Sequence, residues 1–281
     1  MFYSNVHTHS TWCDGKQTLR EMAEAACQLH MTDLGFTSHS YAPFDPGCLG
    51  VKDEAGYQQA VAKLKEQYAG KLNLQCGLEW DYFSPTPAKG YDYFIGSVHY
   101  FEPRAGVYAS VDESPETFAK TLATWFDGDF LAMAEEYYAL VLRHVKENEP
   151  LIVGHFDLIK KFQNRLGYIT QDNQAQYQDL TRQALAEVCQ TLKSYGGLVE
   201  INTGGMSRGW TNEPYPGPFL WRDLAQRKTP VIITSDSHEA KTLNFAFEET
   251  KDQLLQQGIS ETWQLYQGQF QPFLLDRKSN V

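Results

Sequence analysis

Residues 3–39, YSNVHTHSTWCDGKQTLREMAEAACQLHMTDLGFTSH, read as a strand, a helix and a second strand. YSNVHTH (3–9) has strand character. TLREMAEAACQLHM (18–31) spaces its apolar residues as an amphipathic helix does, with Thr18 near the N-cap. DLGFTSH (33–39) is the next strand. Two strands joined through a helix pair in parallel by a right-handed crossover, so this stretch predicts a parallel β/α architecture.

Outward from it the alternation continues. Strands are expected at 72–82, 93–100, 151–155, 197–203 and 230–238, and helices at 54–70, 114–127, 130–147, 176–194, 217–227 and 239–257. Gly70 suits a left-handed close to the 54–70 helix. Seven strands over this length predict a closed or nearly closed β/α barrel in a single domain, 1–281. Loops rich in Gly and Pro at 41–50, 84–90 and 204–218 are expected to line a pocket, since such barrels carry function on the loops after their strands.

The composition narrows the function. The chain is 42% hydrophobic, enough for a large core. No apolar run approaches the roughly 18 residues of a membrane span, and MFYSNVHTHS lacks the pattern of a secretory signal. Cys13, Cys27, Cys48, Cys76 and Cys189 are odd in number and scattered, which argues against a disulfide framework and points to a reducing cytoplasm. A net charge of -11 disfavours nucleic-acid binding, because phosphate backbones call for a basic stripe. Small anionic substrates stay admissible, since bound cations reverse the sign of a site.

Six of the eight histidines lie at or just past a predicted strand end: His7, His9, His39, His99, His155 and His238. Glu79 and Asp236 do the same, and Asp14 follows closely after His9. Active sites of β/α barrels gather at this face. The pairs His7/His9, Glu79/Asp81 and Asp236/His238 are two apart, so both members of each share a strand face. Imidazole with carboxylate suits Zn²⁺, Mn²⁺ or Fe²⁺, and nine candidate ligands would serve two or three ions. Asp81 is expected to orient a ligand rather than be one. His30 and His144 read as structural or solvent-facing, and Cys13 and Cys76 as packing residues.

The ordered motifs VHTHS…DG, SH at 38–39, GLEWD, GSVHY, GHFDL, EINTGG and SDSH resemble the PHP superfamily, named for polymerase and histidinol phosphatase. Within it the chain is most similar to the monofunctional L-histidinol-phosphate phosphatases. The resemblance runs from residue 7 to residue 238. It implies a distorted (β/α)₇ barrel with a trinuclear metal centre at the C-terminal mouth of the strands. His7, His9, Glu79 and Asp236 would hold one ion; Glu79 would bridge to a second, completed by His99 and His155. Asp14, His39 and His238 would hold the third. Two positions depart from common family patterns: Ser38 replaces an acid before the motif histidine, and Asp14 stands where some members have histidine.

The implied reaction is hydrolysis of L-histidinol phosphate in histidine biosynthesis, by attack of a metal-bridging hydroxide, with Glu79, Asp14 and His238 as catalytic candidates. Asp14 is a candidate acid for the leaving group if its metal site is empty. Lys160 and Arg208 match basic positions expected to clamp the phosphate, with Lys161 and Arg165 as rivals. Trp210, Tyr215, Glu213 and Asp45 lie on loops suited to the organic part of the substrate. Competing readings are a PHP phosphoesterase for a nucleotide, sugar phosphate or phosphotyrosine, a metal-dependent amidohydrolase, and a non-enzymatic metal binder. No membrane or nucleic-acid partner is expected, and sequence leaves the oligomeric state open.

Overall fold

The structure is a computed structural model that describes residues 2–275. Its strands are β1 (Ser4–Asn5), β2 (Asp33–Phe36), β3 (Asn73–Asp81), β4 (Tyr93–Ser97), β5 (Tyr100–Arg104), β6 (Val107–Ser110), β7 (Ile152–Val153), β8 (Leu198–Asn202), β9 (Val231–Thr234), β10 (Glu261–Tyr266) and β11 (Gln269–Leu274). Nine of them form one sheet in the order β1-β2-β3-β4-β7-β8-β9-β10-β11. Neighbours run parallel except the terminal β10–β11 pair. The sheet curls so that the residues after β1 meet those after β9. Thr8 bridges Ser237, the His9 amide donates to Ser237 O at 2.8 Å, and the Ser237 amide donates to His7 O at 3.1 Å. This is a mixed α/β fold around a curled sheet.

Helices fill the crossovers: α1 (Leu19–Gln28), α2 (Glu54–Tyr68), α3 (Pro115–Trp125), α4 (Phe130–Asn148), α5 (Gln163–Leu166), α6 (Gln174–Tyr195), α7 (Gly204–Ser207), α8 (Trp221–Arg227) and α9 (Phe247–Gln256). Thr18 caps α1 in a full capping box with Glu21. Ser114 and Asp129 cap α3 and α4. Gly70 takes left-handed backbone, φ 76°, just beyond α2.

Apolar residues from successive strands, among them Val6, Ile95, Ile152, Leu198, Ile232 and Leu265, fill the interior of the curl. Tyr93 crosses this interior and donates to Val6 O at 2.6 Å. A Cβ on Gly35 would stand 1.9 Å from its hydroxyl, so glycine is required there. With this floor packed, chemistry is confined to the open end.

Five expected elements are corrected, and one hairpin is new. The strands expected at 3–9, 33–39 and 151–155 keep ladder pairing only over Ser4–Asn5, Asp33–Phe36 and Ile152–Val153. Their last residues leave the ladder and converge on the mouth. The strand expected at 93–100 ends at Ser97, and Tyr100 starts the separate β5–β6 hairpin. The helix expected at 239–257 begins only at Phe247, because Ala246 adopts left-handed backbone at φ 56°. The β10–β11 hairpin was not foreseen. Its two-residue turn, Gln267–Gly268, needs positive φ at both positions, and Gln gives a weaker turn signal than Asn or Asp.

Candidate metal centre

Glu79 stands at the centre of the open end, fully buried near the end of β3. Its Oε1 accepts from Ser97 Oγ at 2.8 Å and lies 2.8 Å from His155 Nε2 and 3.4 Å from His99 Nε2. Its Oε2 faces a different set: His39 Nδ1 at 2.8 Å, His7 Nε2 at 3.3 Å and His9 Nε2 at 3.5 Å. One carboxylate therefore straddles two groups of imidazoles. Asp236 faces the same histidines, with Oδ1 3.0 Å from His9 Nε2 and 3.6 Å from His7 Nε2. Its backbone is left-handed, φ 45°, a conformation Asp tolerates and one often found at functional sites.

The donors fit a divalent cation on their own geometry. His7 Nε2, His9 Nε2, Glu79 Oε2 and Asp236 Oδ1 are buried, and none makes a hydrogen bond. The contacts between the two imidazole nitrogens and the two oxygens span 3.0–3.6 Å. A tetrahedral ion with bonds near 2.1 Å has ligand–ligand edges of about 3.4 Å. Four buried polar atoms turned on one point without hydrogen bonds are costly unless a cation joins them.

A further group lies beside this one. Asp14 Oδ1 is 3.6 Å from His39 Nε2 and 3.8 Å from His9 Nδ1, and Asp14 Oδ2 is 3.2 Å from His238 Nε2. The loop carrying Asp14 folds tightly on the strand end: the Gly15 amide donates to Ser10 O at 3.0 Å, and a Cβ there would lie 2.4 Å from the Ser10 nitrogen. Ser38, the departure before His39, is buried and brings no carboxylate to the His39 ring.

The electrostatics favour cations. Burial opposes charge on His7, yet Glu200, Asp236 and Glu79 push it well above its ordinary value; carboxylates likewise raise His39 and His99 against burial. Burial and the neighbouring His238 and His39 rings push His9 down to about 3, leaving one ring nitrogen with a free lone pair. Burial would raise Glu79, Asp236 and Asp14, but the facing cationic groups hold all three below the usual carboxylate range. Asp14 thus stays ionised, which suits cation binding better than donating a proton to a leaving group.

All nine residues expected as ligands, His7, His9, Asp14, His39, Glu79, His99, His155, Asp236 and His238, meet at this mouth. Asp81 takes an orienting place: its Oδ2 accepts from the His99 amide at 2.7 Å and lies 3.4 Å from His99 Nδ1. His30 lies exposed past α1. His144 is buried in α4, paired with Trp80 O and Asn148. Burial and Asp14 push the Cys13 thiol up to about 11, in keeping with a packing role.

Of the two basic residues expected at the phosphate, only Arg208 lines the cavity, bonded to Asp236 Oδ2 at 2.9 Å and His238 Nδ1 at 2.7 Å. Lys160 lies outside it. Its ammonium is buried against Asp157 at 3.0 Å, Glu213 at 2.6 Å and Pro214 O at 3.2 Å. Lys161, the next residue, takes the place at the mouth, 2.9 Å from Asp112 Oδ2. Arg165 stacks on Trp210, 4.0 Å from its ring centroid. Trp210 and Asp45 line the cavity, whereas Tyr215 and Glu213 do not.

Glu200 was missed as a functional residue. Its Oε1 accepts from His7 Nδ1 at 2.5 Å and Thr234 Oγ1 at 2.6 Å, and its Oε2 from the His155 amide at 2.6 Å and Asn202 Nδ2 at 3.0 Å. With a cation at Nε2, the bond at Nδ1 would hold His7 in the tautomer whose free lone pair is on Nε2. The available signal was one acid flanked by apolar residues in LVEI, residues 198–201.

Comparison with known proteins agrees with this geometry. Residues 5–204, well over half of the chain, match the PHP domain family. The chain belongs to the PHP domain family. A Bacillus subtilis protein named histidinol-phosphatase is 26% identical over 269 residues, covering 86% of this chain and 96% of that one. Two solved structures share the fold. One, from Listeria monocytogenes and provisionally named a histidinol phosphatase, has a TM-score of 0.74 at 21% identity over 88% of this chain and 99% of the other. The second is histidinol phosphate phosphatase from Lactococcus lactis, complexed with Zn, L-histidinol and phosphate. Its TM-score is 0.70 at 19% identity, over 96% of this chain and 98% of that one. Among the described residues, no helix is long and apolar enough to cross a membrane.

Proposed function

We propose that the protein is a metal-dependent phosphomonoesterase that hydrolyses L-histidinol phosphate to L-histidinol and phosphate in histidine biosynthesis. The observation that carries the reading is the pair of imidazole groups facing the two oxygens of Glu79. The histidinol-phosphatase relative and the Zn, histidinol and phosphate complex of the Lactococcus lactis protein support the substrate.

The proposal includes a single domain built as a distorted (β/α)₇ barrel, its ring completed by the Thr8–Ser237 pairing. It also includes two to three divalent ions, Zn, Mn or Fe. His7, His9, Glu79 and Asp236 would hold the first; Glu79, His99 and His155 would hold the second; Asp14, His39 and His238 would hold the third. When bound, such ions supply Lewis acidity and bring the pKa of coordinated water near neutrality. The chain's own part is positioning. Glu200 and Asp81 orient His7 and His99, while Arg208 and Lys161 present positive charge to the phosphate oxygens. The packed floor below Glu79 confines substrate and water to the mouth. The partner is a small phosphorylated molecule, and the five free thiols accord with a cytoplasmic location.

The test is phosphate release from L-histidinol phosphate by protein stripped of metal and refilled with Mn²⁺, Zn²⁺ or Fe²⁺, beside nucleotides and sugar phosphates. Strong preference for histidinol phosphate, abolished by Asp236→Ala, is expected. Metal-dependent turnover of other phosphates alone would discard this substrate. No turnover with any metal would discard the catalytic reading.

A further inference from the structure

The mouth cavity, of about 390 Å³, is electrically two-sided. Arg208 lies on the Asp236 and His238 side, and Lys161 is the other cation lining it. A different wall is made by the 41–50 loop and the β5–β6 hairpin, two segments far apart in sequence that are clasped together. Phe44 stacks on Tyr108 at 3.7 Å between centroids and meets Tyr100 edge-on at 5.0 Å. The Tyr100 hydroxyl donates to Asp45 Oδ2 at 2.6 Å, and the Gly47 amide donates to Asp45 Oδ1 at 2.8 Å. The loop is braced from within by Cys48 Sγ, which accepts from the Ala42 and Gly50 amides at 3.3 Å each.

Most carboxylates around this cavity are already engaged. Asp81 serves His99, and Asp112 is paired with Lys161. Glu113 is exposed, so fixing it on a ligand would cost rotamer entropy. Asp45 differs. It is half-buried, lines the cavity, and is held in place by two neutral donors that leave its negative charge uncompensated. The Tyr100 ring lines the cavity beside it.

Building on the phosphatase reading, we propose that Asp45 is a specificity-determining residue. It receives the cationic organic group of a phosphate ester whose phosphate lies at the metal cage. The substrate class is a phosphate monoester bearing a protonated amine or ring nitrogen. Asp45 takes no part in the bond cleavage; it selects the ester by the charge at the end remote from phosphorus.

The test uses two nearly isosteric esters, O-phosphoethanolamine and n-propyl phosphate, together with L-histidinol phosphate, on the full-length metal-loaded protein. Wild type should favour phosphoethanolamine over n-propyl phosphate in kcat/KM by roughly tenfold, the scale of one partly exposed charge-assisted contact. Asp45→Asn, which keeps one acceptor oxygen for the Gly47 amide and leaves the Tyr100 hydroxyl to accept from its NH₂ group, should collapse that ratio to near unity. It should also raise KM for L-histidinol phosphate far more than it lowers kcat. Tyr100→Phe, which frees the carboxylate without removing its charge, should reduce the ratio only partly. An equal ratio in wild type and Asp45→Asn overturns the inference and leaves the phosphatase reading standing. Should wild type ignore L-histidinol phosphate but prefer phosphoethanolamine, with the preference lost in Asp45→Asn, the inference stands and that substrate falls. Absence of turnover with every ester overturns both.

Discussion

Glu200→Gln changes one atom deep in the protein and tests how the cage is held. Glu200 is fully buried, and four donors end on its two oxygens: His7 Nδ1, Thr234 Oγ1, the His155 amide and Asn202 Nδ2. Burial would raise its carboxyl, but the His7 ring, its hydrogen bond and His155 hold it below the ordinary value, so it is ionised in the folded protein. Glutamine keeps the shape but offers one acceptor oxygen and an amide that donates. If the oxygen stays toward His7, the NH₂ group faces the His155 amide, donor against donor. That conflict should cost about 1–3 kcal/mol of stability. Loss of the charge at Nδ1 makes the His7 Nε2 lone pair less basic, and removing such an outer partner lowers metal affinity roughly 10–100-fold.

The assay is competition for Zn²⁺ against a chelating dye, run beside urea denaturation of the metal-free protein. Weakened metal binding with a folded protein is the expected pair of results. If stability falls while metal affinity stays within about twofold of wild type, against the expected loss, Glu200 merely fills space. The orienting role argued here would then be wrong.

Neighbouring lysines should behave oppositely. Lys160→Met strips Asp157, fully buried, of its cation and should cost about 3–5 kcal/mol in urea unfolding. Lys161→Met, losing a partly exposed pair with Asp112, should cost about 1 kcal/mol but raise KM for the phosphate ester; equal stability losses would refute the assignment. Chelation should lower the melting temperature, since metal at 100 times its Kd contributes about 2.7 kcal/mol, and calorimetry showing no shift would count against the cage. Burial outweighs the Trp80 carbonyl and nearby acids in holding His144 below its ordinary value. The unfolded chain then takes up a proton that the folded chain refuses, so acid destabilises below about pH 6.5. His144→Gln should narrow the difference in urea midpoint between about pH 8 and about pH 5, and an unchanged difference would refute this.

The cage was legible because its residues gather at the ends of expected strands, and the alternation expected there put His7 with His9 and Asp236 with His238, although all four lie beyond the β1 and β9 ladders. His7/His9 and Asp236/His238 needed no knowledge of the sheet's curl. Glu200 did need it. All five residues of β8 are buried, so no alternation shows which of them looks inward. The β5–β6 hairpin hid because its pairing is antiparallel and apart from the main sheet. The choice between Lys160 and Lys161 could not be read at all. They follow one another at a 3₁₀ turn, Leu158–Lys160, where successive side chains point about 120° apart. One therefore turns into a buried network and the other to the mouth.

The net charge of -11 and the anionic substrate are reconciled at the cage itself. Asp14, Glu79, Glu200 and Asp236 bring four carboxylates to the histidines, and Arg208 is the cation bonded directly to this group. A phosphate dianion meeting that cage with its histidines neutral would be repelled. Divalent ions carry the local sign furthest toward positive, so substrate affinity is expected to be thermodynamically linked to metal loading. The linkage is reciprocal: phosphate must tighten metal binding by the same factor by which metal tightens phosphate. Beyond the cage the requirement inverts. At Asp45 the wall keeps its negative charge, and a substrate positive at that end meets attraction at both ends of the cavity.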